Sequence, residues 1–268
     1  MIVITGDRRD VVLQYVLPWL AKTDAELIFL DQFSLGSRWK PHKDGVEYDQ
    51  YWLDQKDIKS IYSRIQPNAS TSKLMDDWVF CLDEWPSLVI NRPKDTLSNI
   101  AKAYQLELIE LGPLKLIPYE VVAQDYHKVN KSWIYKSMSG IRSIVTSVEQ
   151  DQEWVNEPIL FQKRVQGINI RVHVIGEEIF SCEIHSQVVD YRYDQKRSMN
   201  VITLPQNISD ACIRITQELG LLFSGIDLIL SDGSYFILEV NPQPGFSFFS
   251  VVSEAIADCL MRKLCQDK

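Results

Sequence analysis

Between Gly225 and Pro242 the chain carries two apolar runs, Gly225-Ile226-Asp227-Leu228-Ile229 and Tyr235-Phe236-Ile237-Leu238-Glu239-Val240-Asn241-Pro242. They are joined by Ser231-Asp232-Gly233-Ser234. An Asp-Gly pair between apolar runs predicts a tight β-hairpin. Side chains alternate along a strand, so Glu239 and Asn241 leave the same face of the sheet. Asp227 is the lone acid of the facing strand, placed where it can point to that face as well.

The remaining pattern separates into three regions. Residues 1–90 read as strand (Ile2–Thr5), helix (about Asp10–Lys22) and strand (Glu26–Leu30). A polar, aromatic stretch from Ser34 to Gln55 follows, then a strand at Ile58–Tyr62 and a helix around Ser72–Leu82. Alternating strands and helices predict a small parallel α/β lobe. From Asn91-Arg92-Pro93 a helical stretch containing Lys102 leads to Gly112-Pro113 and an extended Leu116–Val122. From Ser132 onward strands dominate, at Trp133–Lys136, Ser143–Thr146, Ile159–Arg164, Ile170–Ile175 and Glu178–His185. A helix near Ser209–Leu219 precedes the hairpin, and a last helix runs from Val252 to Leu264. The expected fold class is α/β: an N-terminal domain over 1–90, then 91–268 with a central lobe (about 91–160) and a C-terminal antiparallel-sheet lobe (about 161–268).

Composition narrows the function classes. With 268 residues, 46% of them hydrophobic, the chain has material for more than one lobe. A net charge of -8 argues against a general nucleic-acid binder, which needs a basic face. The five cysteines form no CxxC pair, and the four histidines form no HxxH or HExxH pattern. They read as reduced thiols and structural imidazoles, with neither a disulfide framework nor a zinc site. Gly6 stands before Asp7-Arg8-Arg9-Asp10 without a GxGxxG. No signal-peptide core and no apolar run of membrane-spanning length is present, so the expected location is cytoplasmic, with no membrane partner.

The chemistry concentrates on oxygen donors. Two carboxylates and an amide oxygen (Asp227, Glu239, Asn241) on one sheet face suit magnesium, because Mg²⁺ prefers hard oxygen ligands. An unpaired carboxylate in such apolar runs is costly; the alternative is an edge hairpin with solvated acids. Lys136 ends a strand and precedes Ser137-Met138-Ser139-Gly140, a small-residue turn whose N–H groups can cradle phosphate. Alone, such a turn is ordinary, and Lys102 on a helix would ordinarily be a solvated lysine. Ile159–Val165 is an apolar strand that breaks into polarity; it can offer backbone groups to an adenine edge, or be a core strand.

In this order, these segments resemble the ATP-grasp ligases from about Val89 to Leu264. The resemblance implies ATP and Mg²⁺ as cofactors. Lys102 and Lys136, with Ser139 and Gly140, would hold the phosphates. Gln162, Lys163 and Val165 would hold the adenine, and Asp227, Glu239 and Asn241 the metal. Asn91-Arg92-Pro93, Asn169-Ile170-Arg171-Val172 and Val189-Asp190-Tyr191-Arg192 look like the branch of RimK-like glutamate ligases and graspetide (microviridin-type) peptide cross-linkers. That branch implies a carboxylate–amine or carboxylate–hydroxyl ligase working through an acyl phosphate on a peptide or protein, with a homodimer as an open state. Ligation of free amino acids or small molecules, phosphoryl transfer to a hydroxyl, and ATP binding without turnover are the alternatives. Arg171 and Arg192 are candidates for contact with the transferring phosphoryl or the oxyanion, since a guanidinium makes bidentate oxyanion contacts. Arg197 lies in a charged loop, and Arg64 and Arg92 stand at strand ends of the first lobe, where they could meet an acidic substrate. The alternative for each arginine is a structural ion pair. Phe246, Phe248 and Phe249 would line an apolar wall for a peptide, or pack on the final helix.

Overall fold

The computed structural model describes residues 1–65, 73–96, 105–107, 109–122, 133–137, 145–147, 159–188 and 191–266. The chain divides into two compact units, Met1–Thr96 with Gly220–Phe223 and Gln243–Lys268, and Leu97–Leu219 with Ser224–Pro242. No helix among the described residues is long and apolar enough to cross a membrane.

The first unit begins with β1 (Ile2–Gly6), α1 (Val11–Leu20) and β2 (Leu27–Asp31). β3 (Trp39–His42), β4 (Gly45–Tyr48) and β5 (Tyr51–Asp54) follow, then β6 (Ser60–Arg64), α2 (Lys73–Glu84), β7 (Leu88–Ile90) and α3 (Pro93–Thr96). β2, β1, β6 and β7 form a parallel sheet in that order. Every residue of β1 and β6 is buried, as strands covered on both faces require. Asp10 starts α1 by accepting from the N–H groups of Val12 and Leu13. Where the sequence shows only a polar, aromatic stretch at Ser34–Gln55, the chain folds β3, β4 and β5 into an antiparallel sheet. Its Trp39 is buried against Trp78 of α2, ring centroids 5.3 Å apart, and Trp78 meets Trp85 at 5.5 Å. Such short strands are set by tertiary packing more than by local pattern.

The second unit holds β8 (Lys115–Leu116), β9 (Tyr119–Val122), β10 (Trp133–Ser137), β11 (Val145–Ser147), β12 (Ile159–Lys163), β13 (Ile168–Ile175), β14 (Glu178–His185) and β15 (Ser198–Val201). α4 (Gln206–Glu218), β16 (Phe223–Ser231, whose first residue belongs to the first unit) and β17 (Ser234–Asn241) complete it. One sheet runs β11-β10-β12-β9 and the other β15-β14-β13-β16-β17-β8. The single extended segment expected at Leu116–Val122 is thus divided: β8 pairs with β17 while β9 pairs with β12. Pro118, which lacks an N–H for either ladder, stands at the break.

The last helix, α5 (Ser253–Cys265), belongs to the first unit rather than to a C-terminal lobe. Its final carbonyls, which no helical N–H can satisfy, accept from β6 and its approach: Ser60 Oγ to Leu264 O at 2.7 Å and Lys59 Nζ to Cys265 O at 2.5 Å.

Candidate active site

The β16–β17 hairpin forms as its sequence predicts. Asp232 and Gly233 take φ of 47° and 71°, the pair of positive values a type I′ turn needs. Across the ladder Asp227 stands opposite Glu239 and Gly225 opposite Asn241. The register slips between Asp227 and Leu228, so Leu228 faces Ile237 and Leu238 is an extra residue. Unbroken alternation would put Ile237 on the face of Glu239. The bulge releases it: Ile237 is fully buried, while Glu239 and Asn241 are only partly so. The apolar side of the strand fills the core, and the oxygen donors keep a face of their own.

β13 lies beside β16 and brings Arg171 to that face. Arg171 Nη1 donates to Asp227 Oδ2 at 2.7 Å, with side chains 5% and 16% exposed. Its Nε donates to His173 Nε2 at 3.3 Å. Tyr191 Oη donates to Asp227 Oδ1 at 3.3 Å. Burial works against the charge of Arg171, but Asp227, Tyr191 and Glu239 more than offset it and hold its pKa above the ordinary arginine value. Burial pushes the Tyr191 phenol well above its usual range, and Asp227 adds to the effect while Arg171 and Arg192 oppose it. Both groups therefore keep their protons at neutral pH. Two facing carboxylates repel, so a cation shared between them is stabilising. The set Asp227, Glu239 and Asn241 suits a hard divalent ion such as magnesium.

One contributor has no signature in the sequence. Gln105, 2% exposed, donates through Nε2 to Val240 O at 2.8 Å and accepts through Oε1 from Val240 N at 3.0 Å. Its amide serves as a one-residue strand, holding the backbone between Glu239 and Asn241. A single glutamine in a stretch that reads as helical gives no hint of this, because the partner lies 135 positions away.

The other predicted residues fall as follows. Lys102, Ser139 and Gly140 lie outside the described residues. The backbone of Lys136 pairs with Leu160 in β10–β12. Gln162 is buried, and its Oε1 has no hydrogen-bond partner among the described residues. Lys163 is exposed and its N–H donates to Pro118 O at 2.9 Å, while Val165 is half-buried just beyond β12. Arg192 is exposed on the short 3-10 turn Tyr191–Tyr193, near enough to act on Tyr191. Arg197 donates to Asp194 O at 2.6 Å.

In the first unit two arginines are committed to the fold. Arg64 is buried, pairs with Asp10 at 3.0 Å and donates to Pro244 O at 3.2 Å. Arg92 donates to the carbonyls of Leu82, Asp83, Trp85 and Ser87 around the end of α2. Phe246 is fully buried between Tyr15 and Phe223, with centroids at 5.9 and 5.8 Å. Phe249 is also buried, which leaves Phe248 as the exposed member of the trio. The apolar wall expected from these rings is therefore mostly core, because burial stabilises large aromatic surfaces more than exposure does.

A family described as ATP-grasp domain matches residues 112–247, which include β8 to β17 and every donor on the Asp227 face. The chain belongs to the ATP-grasp family. Its fold matches macrocyclase MdnC bound with precursor peptide MdnA from Microcystis aeruginosa MRC, with a TM-score of 0.78 and 16% identity over 99% of each chain. It also matches ATP-grasp ligase PsnB complexed with minimal precursor, Mg and ADP, with a TM-score of 0.76 and 21% identity over 98% of this chain and 97% of that one. Among curated proteins, N-acetylaspartylglutamate synthase A of Homo sapiens is 29% identical over 133 residues, 43% of this chain. That match spans 34% of the human protein's length. The mixed parallel and antiparallel sheets agree with that fold.

Proposed function

We propose that this chain is an ATP-dependent carboxylate ligase that modifies a peptide. The observation that carries the reading is the oxygen-donor face of β16–β17, with Arg171 buried against Asp227. Magnesium held by Asp227, Glu239 and Asn241 would neutralise charge on the triphosphate. Lys136 and Lys102 would hold the phosphates, and the backbone of Gln162–Val165 the adenine. A substrate carboxylate oxygen bonds to the γ-phosphorus as the bridge to the β-phosphate breaks, releasing ADP. An amine or hydroxyl then bonds to the acyl carbon, phosphate leaves with the bonding pair, and the nucleophile's proton passes to solvent. The work of the protein is positioning and charge stabilisation. Arg171 and Arg192, which stay charged at any working pH, would face the transferring phosphoryl and the acyl-phosphate oxygens. Full-length likeness to a macrocyclase solved with its precursor peptide supports a peptide carboxylate over a free amino acid.

The test is incubation of the protein with Mg-ATP and a short peptide, encoded beside its gene, that carries Asp or Glu together with Lys, Ser or Thr. Mass spectrometry should find the peptide lighter by one water for each bond formed, with phosphate released. Coupling of two free small molecules with the peptide untouched would assign the chain to the amino-acid ligases instead. Phosphate retained on a hydroxyl would assign it to kinase chemistry.

A further inference from the structure

His173 lies two residues beyond Arg171 on β13, so both side chains leave the same face of the strand. It is fully buried. A buried histidine is most often a packing residue, but its contact here is with the guanidinium that meets Asp227. Arginine carries five N–H groups and no acceptor, and it does not lose its proton in proteins. In the 3.3 Å contact from Arg171 Nε to His173 Nε2, the imidazole nitrogen therefore supplies the lone pair. With Nε2 as the acceptor, the ring is assigned as neutral with its proton on Nδ1. An imidazolium would have no lone pair to offer and would set two cations side by side.

The guanidinium is planar, so bonds at two of its nitrogens fix its plane as well as its position. Nη1 is held by Asp227 at 2.7 Å and Nε by His173. The bond from Nε approaches the guanidinium from a different side than the bond at Nη1, so the imidazole adds its own restraint on the orientation of the plane. Asp227 is also the group a metal would engage, so Arg171 needs an anchor that does not depend on that carboxylate. The imidazole, one pleat along the same strand, is such an anchor.

We infer that His173 is a positioning residue of the active site, its neutral imidazole setting the plane of the Arg171 guanidinium against Asp227 and the reacting phosphoryl. The role of Arg171 toward phosphoryl rests on the ligase reading above; the aiming of its side chain does not. Glutamine can place an amide oxygen near the site of Nε2 and keep the acceptor. Leucine fills similar space and removes it.

Two measurements test this on the full chain. In the folded wild-type protein, the Arg171 Nε–H resonance, assigned by comparison with Arg171→Met, should exchange slowly with solvent and shift in His173→Gln. Exchange of that proton at the rate of an exposed arginine would overturn the inference. For turnover, phosphate release from Mg-ATP is followed with the peptide used above, or with Mg-ATP alone. His173→Leu should lower kcat by roughly ten- to a hundred-fold with KM for Mg-ATP nearly unchanged, as misaligned catalytic groups do. His173→Gln should recover most of the loss. Equal loss in both variants, or loss confined to KM, would make His173 a packing residue. If the wild-type protein releases no phosphate, the ligase reading fails while the resonance still reports on the aiming.

Discussion

Asp227 and Glu239 stand directly opposite each other across β16 and β17, two carboxylates in one cross-strand pair. Without a metal ion, Arg171 offsets only part of the repulsion between them, since like charges facing across a ladder are destabilising. Glu239→Gln should therefore raise the stability of the metal-free protein slightly, by about 0.5 kcal/mol. The same change should abolish Mg-ATP turnover and the stabilisation that Mg-nucleotide gives the wild type. Denaturation with and without Mg-ADP, alongside phosphate release, checks both halves. Wild-type turnover in Glu239→Gln would remove the metal assignment.

Arg171→Met should destabilise the protein by about 3 kcal/mol, because it strands a carboxylate that is largely out of water. Adding Asp227→Asn to that variant should recover part of the loss. A double-mutant cycle from urea titrations measures the coupling. Additive losses would mean that the pair does not interact in solution.

Gln105→Leu leaves the N–H and C=O of Val240 buried without their amide partner. The expected loss is about 2–4 kcal/mol, one desolvation penalty for each group. Mg-ADP affinity should fall as well, because the backbone between Glu239 and Asn241 loses its support. Calorimetric titration separates that effect from stability. Unchanged affinity would limit Gln105 to a role in folding.

Asn91, at the head of the Asn-Arg-Pro run, is buried and spends its side chain on the start of β16. Its Nδ2 donates to Phe223 O at 2.6 Å, and its Oδ1 accepts from Leu222 N at 2.9 Å and Phe223 N at 3.0 Å. Asn91→Ala should cost about 2–3 kcal/mol. Asn91→Asp should cost as much or more, because a carboxylate cannot donate to Phe223 O. Melting curves of the two variants decide this. A drop in turnover without a drop in stability would point instead to direct contact with substrate.

Alkaline pH gives a signed prediction. Burial raises the phenol of Tyr62, and burial together with Asp227 raises that of Tyr191. Their folded pKa values lie above the unfolded value near 10, so between the two the folded chain binds more protons. Stability should then be intact below about pH 10 and fall as pH rises toward the folded values. Tyr62→Phe and Tyr191→Phe should each flatten that fall, measured by denaturation at a series of pH values. A wild-type slope in both variants would show that neither phenol is held back.

Much of the hairpin was legible because its signals are local. The Asp-Gly turn, the two apolar runs and the spacing of Glu239 and Asn241 act within about twenty residues, where backbone preference and period are strong. The first-lobe alternation of strands and helices was legible for the same reason. What the sequence could not determine depends on partners far along the chain. Period two puts Ile237 with Glu239, and only packing, through the bulge at Leu238, separates them. Arg64, Arg92 and Phe246 look like groups facing a ligand when read as isolated residues at strand ends and loops. Folding commits them to Asp10 and Pro244, to the carbonyls around the end of α2, and to Tyr15 and Phe223. The meeting of Arg171, His173 and Asp227, and the grip of Gln105 on Val240, likewise exist only once distant strands pair. A side chain's charge and size are written in the sequence, but whether it is satisfied by the fold or left to act on a ligand depends on which distant groups packing brings beside it.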